Sequence, residues 1–308
     1  MTLNLCHFYL PKSCLNCRMF DVCVIGHVTQ DRIKIDGKIV QKMAGGTAIY
    51  TAIALKTLGL NVAVLTKTSR PDRSHLLEEL KNRGIAVFWS ESPETTQFEN
   101  SYQRDRRDSR KQRVQAVASP FTPSDLGPIQ ARIFHLGALT NQEMSLEFLQ
   151  AVFATQALIS LDGQGFLRQV INHTVKAMDW TEKLPGLAGV DILKVDIQEA
   201  QLLSGKPAIE PAAIALNQWG VREVLITAGS QGSWVYQSGI LEQIPAFPPT
   251  TSVDPTGCGD TYIAGYLYSR FTGEPSSHAA RFAAQVATRK LENFGPLREW
   301  QTGESIPG

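Results

Sequence analysis

Seven short apolar segments recur along this chain, and stretches with the spacing of amphipathic helices separate them. The segments lie near residues 21, 62, 85, 132, 157, 191 and 222. Strands that alternate with helices in this way form βαβ units, in which the strands run parallel and helices cover both faces of the sheet. The 308 residues, 43% of them hydrophobic, suffice for one large core. We therefore expect an α/β domain with a largely parallel sheet, whose ligands bind at the carboxyl ends of the strands.

The segment VDPTGCGDTYIAGYLYSR, residues 253–270, combines a glycine turn with the start of a helix. Gly257 and Gly259 flank Cys258, so the backbone can adopt conformations closed to other residues and point its amides outward. Amides at a helix N-terminus attract a phosphate and stabilise the charge that develops during its transfer. Asp260, in the first helical turn, is then a candidate base for an alcohol proton. The alternative is an ordinary turn in which Asp260 only caps the helix.

This segment resembles the second signature of the PfkB/ribokinase family of carbohydrate and nucleoside kinases, usually Asp-Thr-x-Gly-Ala-Gly-Asp. Cys258 replaces the usual Ala and Pro255 the usual Thr, while the carboxylate of Asp260 is kept. The resemblance implies a ribokinase-like fold, an anion hole formed by residues 257–259, and Asp260 as the catalytic base. Other segments follow the family's order over residues 20–296.

Four positions in the first fifty residues resemble the family's substrate side. FDVCVIGHVTQD predicts a buried strand, and Asp31 just beyond it resembles the family's acceptor of substrate hydroxyls; a carboxylate can accept two such hydrogen bonds. Gly45 and Gly46 begin a segment that resembles the first signature, where a substrate can approach the backbone closely. Tyr50 replaces the Asn of many sugar-phosphorylating members with a ring that either stacks on a ligand or walls it off. The alternatives are a solvated loop for Asp31 and a simple tight turn for the glycines.

Segments in the second half of the chain resemble the family's nucleotide side. In VDILKVDIQEAQLLSG, residues 190–205, Asp196 and Glu199 match the Asn-x-x-Glu element, which implies that Glu199 helps to place Mg²⁺, a cation that prefers oxygen ligands. The same pattern at a helix start is typical of a capping box. The resemblance also implies a nucleotide-side turn in residues 222–237 and a final helix over the adenine, with cofactor-binding positions at Thr227, Gly229, Gly232 and Ala287.

Two polar, strand-like segments, residues 32–43 and 86–119, do not fit a plain α/β layer. Asp36-Gly37 between apolar residues is a hairpin signal. By resemblance both segments form a small β lid, which kinases use to exclude water. We expect the kinase domain to cover residues 19–300 and a tail to cover residues 301–308. Because the family's first strand begins close to the start Met, residues 1–18 are expected to be a dispensable extension. After its strand, the segment ALISLDGQGFLR, residues 157–168, is expected to pass into a helix.

Charge and cysteine content bear on other classes of protein. The formal net charge is only +1, so the basic run in residues 104–113 favours a solvated hairpin tip over nucleic-acid binding, with contact to an anionic ligand or partner chain as the alternative. Five cysteines without a secretion signal indicate a reducing cytosol. Cys14 and Cys17, with Cys6 and His7, lack the spacing of a zinc finger. Neither a P-loop, a dinucleotide-binding fingerprint nor a nucleophile elbow is present in the sequence.

Together these features predict a cytoplasmic kinase of a small sugar or a cyclic polyol such as inositol. ATP and Mg²⁺ are its expected cofactors, with a monovalent cation as a further option. The Thr95-Thr96-x-Phe98 pattern with Tyr50 resembles the inositol-kinase-like branch. A nucleoside kinase and a non-catalytic metabolite sensor are the alternatives. No nucleic-acid or membrane partner is expected, and a homodimer through the lid edges stays open.

Overall fold

The computed structural model describes residues 7–9, 19–36, 38–103 and 106–300. The strands within these ranges are β1 (His7–Tyr9), β2 (Phe20–Ile25), β3 (Thr29–Ile35), β4 (Lys38–Gly45), β5 (Val62–Thr68), β6 (Ala86–Glu91), β7 (Gln97–Gln103), β8 (Arg106–Ala116), β9 (Ala131–Leu136), β10 (Leu158–Asp162), β11 (Arg168–Ile171), β12 (Thr174–Ala177), β13 (Ile192–Asp196), β14 (Glu223–Thr227), β15 (Ser233–Gln237) and β16 (Ile240–Ile244). The helices are α1 (Thr47–Thr57), α2 (Arg73–Leu76), α3 (Glu78–Asn82), α4 (Leu146–Phe153), α5 (Lys183–Leu187), α6 (Ile197–Ser204), α7 (Ile209–Gln218), α8 (Cys258–Phe271) and α9 (Ser276–Leu291).

A ten-stranded sheet forms the centre of the molecule, in the order β1-β6-β5-β2-β9-β10-β13-β14-β15-β16. The seven strands from β6 to β14 are parallel, and β1, β15 and β16 are antiparallel additions at the two edges. The parallel strands are the seven that the apolar segments predict, so the predicted α/β class is confirmed. Among the residues described, no helix is long and apolar enough to cross a bilayer.

The central strands are buried on both faces. On β2, Val22 and Val24 join the core cluster that includes α1, α8 and α9, whereas Cys23 and Ile25 join the cluster on the other face. Successive side chains of a strand point to opposite faces, so helices must cover both sides. The carboxyl ends of the strands and the loops that follow them are therefore the places where polar side chains can gather.

A small sheet in the order β4-β3-β7-β8 lies outside the central one. β3 and β4 form the expected hairpin, with Asp36 at a φ of 48°, and β3 pairs in parallel with β7. The segment expected for the lid at residues 86–119 is too long, because its first six residues form β6 of the central sheet. In the basic run, residues 104 and 105 and the side chains of residues 106–111 lie outside the described parts, so the predicted hairpin tip does too.

The expectation of a helix directly after β10 is wrong. A short 3₁₀ turn, Gly165–Leu167, leads instead into the β11–β12 hairpin. Its turn residues Asn172 and His173 have φ angles of 50° and 61°, as a tight two-residue hairpin turn requires. Val170 and Val175 pair across the hairpin, and β-branched pairs of this kind favour strands. This local hairpin signal outweighs the strand-to-helix pattern.

The β11–β12 hairpin contacts the small sheet through hydrogen bonds and apolar packing. The Val114 amide of β8 donates to the His173 carbonyl at 2.9 Å, and His173 Nδ1 bonds the Val114 carbonyl at 2.9 Å. Val170 and Val175 pack against the cluster of Phe98, Val114 and Leu139. The small sheet is thus fixed to the body both through its own chain connections and through this hairpin.

At the opposite edge, β1 pairs with β6, with His7 beside Trp89 and Tyr9 beside Val87. Cys6, Cys14 and Cys17 lie outside the described residues. We expect deletion of residues 1–18 to leave a cooperatively folded protein, because a three-residue edge strand adds few hydrogen bonds to a sheet of this size. Circular dichroism and thermal unfolding of the truncated protein test this. A truncated chain that does not fold would contradict it.

Candidate active site

The glycine turn before α8 has the geometry that the sequence predicts. Gly257 adopts a left-handed conformation with a φ of 79°, and a Cβ there would collide with the ring of Tyr50. The Cys258 amide donates to the Pro255 carbonyl at 3.2 Å. The N–H groups of Gly259 and of the residue after it have no acceptor inside the helix, as in every first helical turn. These N–H groups form the positive end of the helix dipole, which favours an anion.

Asp260 is held at the start of α8 by helix α1. The Thr47 hydroxyl donates to its carboxylate, and the Thr51 hydroxyl donates to its backbone carbonyl at 3.2 Å. Burial raises the pKa of Asp260 to about 6, the charge of Asp162 adds to this rise, and the charge of Lys194 and the Thr47 bond oppose it. The carboxylate is thus ionised in most molecules at neutral pH, yet basic enough to accept a proton.

A buried ion pair lies beside the glycine turn. Lys194 Nζ of β13 is 3.0 Å from Asp162 Oδ2 at the end of β10, and both side chains are almost fully buried. A Cβ built on Gly259 would lie 3.1 Å from Lys194 Nζ, so the ammonium faces the turn. Burial opposes the charge of Lys194, but Asp162, Glu199 and Asp260 together hold its pKa above the usual value. The Lys194 ammonium is thus placed to contact an anion that binds at the turn.

Glu199 lies in the first turn of α6 and forms a capping box with the N-cap residue Asp196. Its Oε2 accepts the Asp196 amide at 2.7 Å, and Asp196 Oδ1 accepts the Glu199 amide at 2.8 Å, so the capping box that the sequence allows is present. Burial raises the pKa of Glu199 to about 7, which Lys194 opposes and Asp162 reinforces.

The carboxylates near the turn fit one particular mode of magnesium binding. Among the described residues no three His, Cys, Asp or Glu side chains are grouped to enclose a metal. Mg²⁺ usually takes only one or two carboxylates and completes its shell with water and substrate phosphates. Glu199, which lies close enough to Asp162 and Lys194 for their charges to shift its pKa, suits that mode.

Asp31 lies within β3, so the alternative of a solvated loop is wrong. Thr29 Oγ1 donates to Asp31 Oδ1 at 2.7 Å. A Cβ on Gly45 would lie 2.5 Å from Asp31 Oδ2, and a Cβ on Gly46 would lie 2.6 Å from the His27 carbonyl. Gly46 is therefore required for the backbone to pass this close to His27, and Gly45 leaves the space that the Asp31 carboxylate occupies.

Tyr50 is a buried residue that packs against the glycine turn. Only 2% of its surface is exposed, and its ring lies against Gly257. Burial raises its pKa, and so do the charges of Asp254, Asp31 and Asp260, which surround the ring. Its hydroxyl is buried and has no hydrogen-bond partner among the described residues. Of the two interpretations of Tyr50, the wall fits and the stacking surface does not, because neither face of the ring is open.

The positions expected on the nucleotide side lie at the end of β14 and on α9. Gly229 and Gly232 have φ angles of 55° and 91°, and a Cβ on Gly232 would collide with the Ile244 carbonyl. Thr227 is half-buried at the end of its strand. On α9, which packs against β15 and β16, Ala287 is half-buried. Ala283 serves helix packing, because a Cβ on Gly265 of α8 would lie only 2.9 Å from its Cα atom.

Comparison with known proteins gives this arrangement a family. Residues 19–302 match the pfkB family of carbohydrate kinases. The chain belongs to this family. The cytidine kinase of Thermococcus kodakarensis is 26% identical over 291 residues, which cover 90% of this chain and 98% of the relative. The inositol 3-kinase of Oryza sativa subsp. japonica is 25% identical over 296 residues, 89% of this chain and 70% of the relative.

A solved structure is also similar to this pfkB kinase. A pyrophosphate-dependent kinase in the ribokinase family, complexed with a pyrophosphate analog and myo-inositol, has a TM-score of 0.81 and 30% identity, and the match covers 90% of this chain and 97% of that one. The predicted ribokinase-like fold and family are confirmed, and the protein is a phosphotransferase of small molecules.

In this pfkB kinase the starts of α1 and α8 and the ends of β10 and β13 meet around Asp260. The sequence predicts Asp260, the glycine turn and Glu199 there. Several neighbours are missed by sequence reasoning, namely Thr47, Asp162, Lys194, Asp254 and Lys290. Of these residues, Lys194 could have been found from the sequence. It interrupts the apolar run of β13, and a charged residue within a buried strand needs a partner.

Proposed function

We propose that this kinase transfers a phosphoryl group from ATP to a hydroxyl of a small sugar or cyclic polyol, with Asp260 as the base. One observation carries the proposal: a carboxylate with its pKa raised to about 6 stands at the mouth of an amide turn and beside a buried cation, Lys194. The base, the anion donors and the positive charge for phosphoryl transfer are thus in one place.

The reaction follows from these positions. Asp260 accepts the proton of the acceptor hydroxyl as the oxygen attacks the terminal phosphorus, and the bond from that phosphorus to the leaving phosphate oxygen breaks. The amides of Gly259 and Asp260 and the Lys194 ammonium stabilise the charge on the transferring group. Glu199 would help to hold Mg²⁺, and the bound ion would neutralise charge on the donor phosphates. The small sheet keeps water out, which prevents hydrolysis of the donor.

The acceptor side favours a polyol. Asp31, held by the Thr29 hydroxyl, places a carboxylate on the acceptor side, and a carboxylate is a good acceptor for substrate hydroxyls. Tyr50 offers no open face to a base. A nucleoside is the second candidate, favoured by the 26% identity to a cytidine kinase over nearly its whole length.

Pyrophosphate is a second candidate donor. The similar solved structure is of a pyrophosphate-dependent kinase, and it is 30% identical to this chain. Lys194 and the amide turn contact only phosphate in our proposal, so they serve either donor. A role for Gly229, Gly232 and Ala287 arises only when the donor carries a base. Binding of ATP at these three residues would therefore favour ATP over pyrophosphate as the donor.

A direct assay of the phosphorylated product tests the function. The purified protein is incubated with Mg²⁺, with ATP or pyrophosphate, and with a panel of pentoses, hexoses, inositols and nucleosides. Mass spectrometry of the product detects turnover with both donors. We expect product from one acceptor class, at a rate that collapses in the Asp260→Asn variant. If no donor and acceptor pair gives product while the ligands still raise the thermal midpoint, the sensor alternative replaces the kinase.

A further inference from the structure

Lys290 is a fully buried cation next to the active-site turn. It lies in the last turn of α9, and none of its surface is exposed. Its Nζ donates to the Asp254 carbonyl at 2.7 Å and to the Asn293 carbonyl at 3.4 Å, and it lies 3.2 Å from Asp254 Oδ2. The Tyr50 ring centroid is 5.9 Å away. An ammonium has three N–H donors, and three oxygens surround this one.

The partner of Lys290, Asp254, begins the turn itself. Asp254 Oδ1 accepts the Thr256 amide at 2.9 Å, and Oδ2 accepts the Gly295 amide at 3.1 Å. Partial burial opposes ionisation, but these bonds and the charge of Lys290 hold the pKa of Asp254 below its usual value. The ionised carboxylate of Asp254 therefore joins Lys290 at the end of α9 to the backbone of Thr256 and Gly295. This junction holds the residues that lead into the glycine turn before α8, which we call the donor turn because we assign it to the donor phosphates.

Two carbonyls and a carboxylate that converge on one point form a site of the kind that binds a monovalent cation, because such oxygens can replace its hydration shell. The three oxygens already surround the ammonium of Lys290. The charge is tethered to the chain, so dilution or exchange of salt cannot remove it. A free ion at this point would need to displace Lys290, whose stem is packed inside the protein.

We propose that the Lys290 ammonium takes the place of a monovalent cation at the base of the donor turn, so that catalysis needs no added potassium or sodium there. Lys290 is then a positioning residue that acts through Asp254 on the turn and on the amides of Gly259 and Asp260. The inference rests on the proposed function, since it concerns the turn that we assign to the donor phosphates. It also distinguishes Lys290 from Lys194, whose ammonium faces the turn directly.

The first test is the cation dependence of the native enzyme. Turnover is measured with choline as the only monovalent cation, and then with potassium, sodium or ammonium at the same ionic strength. We expect rates within about twofold of one another, because screening alone changes. A stimulation by potassium of about tenfold or more overturns the proposal.

The second test replaces the lysine with an uncharged side chain of similar length. Lys290→Met is expected to lose about 10²-fold in turnover in choline and to regain about tenfold or more in potassium or ammonium, which restore the charge. Its thermal midpoint should rise with potassium but not with choline, a readout independent of activity. The exposed Arg281 of α9 gives the matched control, since Arg281→Ala removes a cation from the same helix and should show neither effect.

A loss of turnover in Lys290→Met without any cation-dependent recovery or stabilisation shows an ordinary buried ion pair and overturns the proposal. If this variant does not fold in choline, refolding in potassium against choline gives the same decision. Failure of the proposed function is a separate result: the native protein then gives no product in any salt, while the midpoint of Lys290→Met still responds or fails to respond to potassium.

Discussion

Replacing Asp260 with asparagine is expected to lower kcat by about 10²-fold or more while KM for both substrates changes little. Asparagine has the shape of the carboxylate and can still accept the Thr47 bond, but it cannot take a proton from the acceptor hydroxyl. Steady-state kinetics with the identified donor and acceptor measure the effect. Turnover close to that of the native enzyme would remove Asp260 from the role of base.

Stability distinguishes this result from a misfolded variant. The pKa of Asp260 is raised from 3.8 in the reference state to about 6 in the folded protein, so the folded state binds the proton more tightly. The ionised carboxylate therefore lowers stability as pH rises through this interval, and the loss persists above pH 6. We expect the thermal midpoint of Asp260→Asn at pH 8 to be equal to or higher than that of the native protein. A clearly lower midpoint would mean that the substitution disturbs the fold.

Replacing Lys194 with methionine is expected to have the second large effect, on both rate and pH dependence. Because only ionised Asp260 can act as the base, kcat/KM of the native enzyme should fall below about pH 6, the pKa of that group. Lys194 opposes the rise of this pKa, so its removal should move the acid limb to higher pH. The loss of its charge beside the turn should also lower kcat by about 10²-fold. The pH profile of kcat/KM measures the shift.

The buried partner of Lys194 requires a control. Removal of Lys194 alone leaves Asp162 as an unpaired buried charge, which is destabilising by itself. The double variant Lys194→Met/Asp162→Asn removes both charges and should recover stability without recovering kcat. Lys194→Arg keeps a cation and should keep the acid limb near its native pH. An acid limb that stays in place in Lys194→Met would show that Lys194 does not act on Asp260.

The sequence predicts the elements whose signals are local. Apolar segments reveal β2 and its neighbours, and the glycines around Cys258 reveal the turn before α8, because each depends on a few adjacent residues. The β11–β12 hairpin was missed although Asn172 and the valines beside it carry a hairpin signal. The strand-to-helix pattern of its neighbours suggested a longer α/β repeat.

The missed charged residues depend on contacts between distant elements. Asp162 and Lys194 meet because β10 and β13 are neighbours in the sheet, and strand order does not follow from either segment alone. A lysine near a helix C-terminus is usually exposed and complements the helix dipole, so the sequence position of Lys290 gives no sign of its burial. It is buried because the end of α9 packs against the residues before the turn, through Asp254 and the Val253 amide, which donates to the Leu291 carbonyl at 3.0 Å.

The cysteine in the turn has a consequence for chemical attack on this enzyme. Burial raises the pKa of the Cys258 thiol to about 11, and the nearby charge of Lys290 offsets only part of that rise. At neutral pH only about one molecule in 10⁴ then carries the reactive thiolate. Alkylating agents and peroxide should therefore spare the phosphate-binding turn even though it contains a sulfur atom. A covalent inhibitor of this kinase must be aimed at another nucleophile.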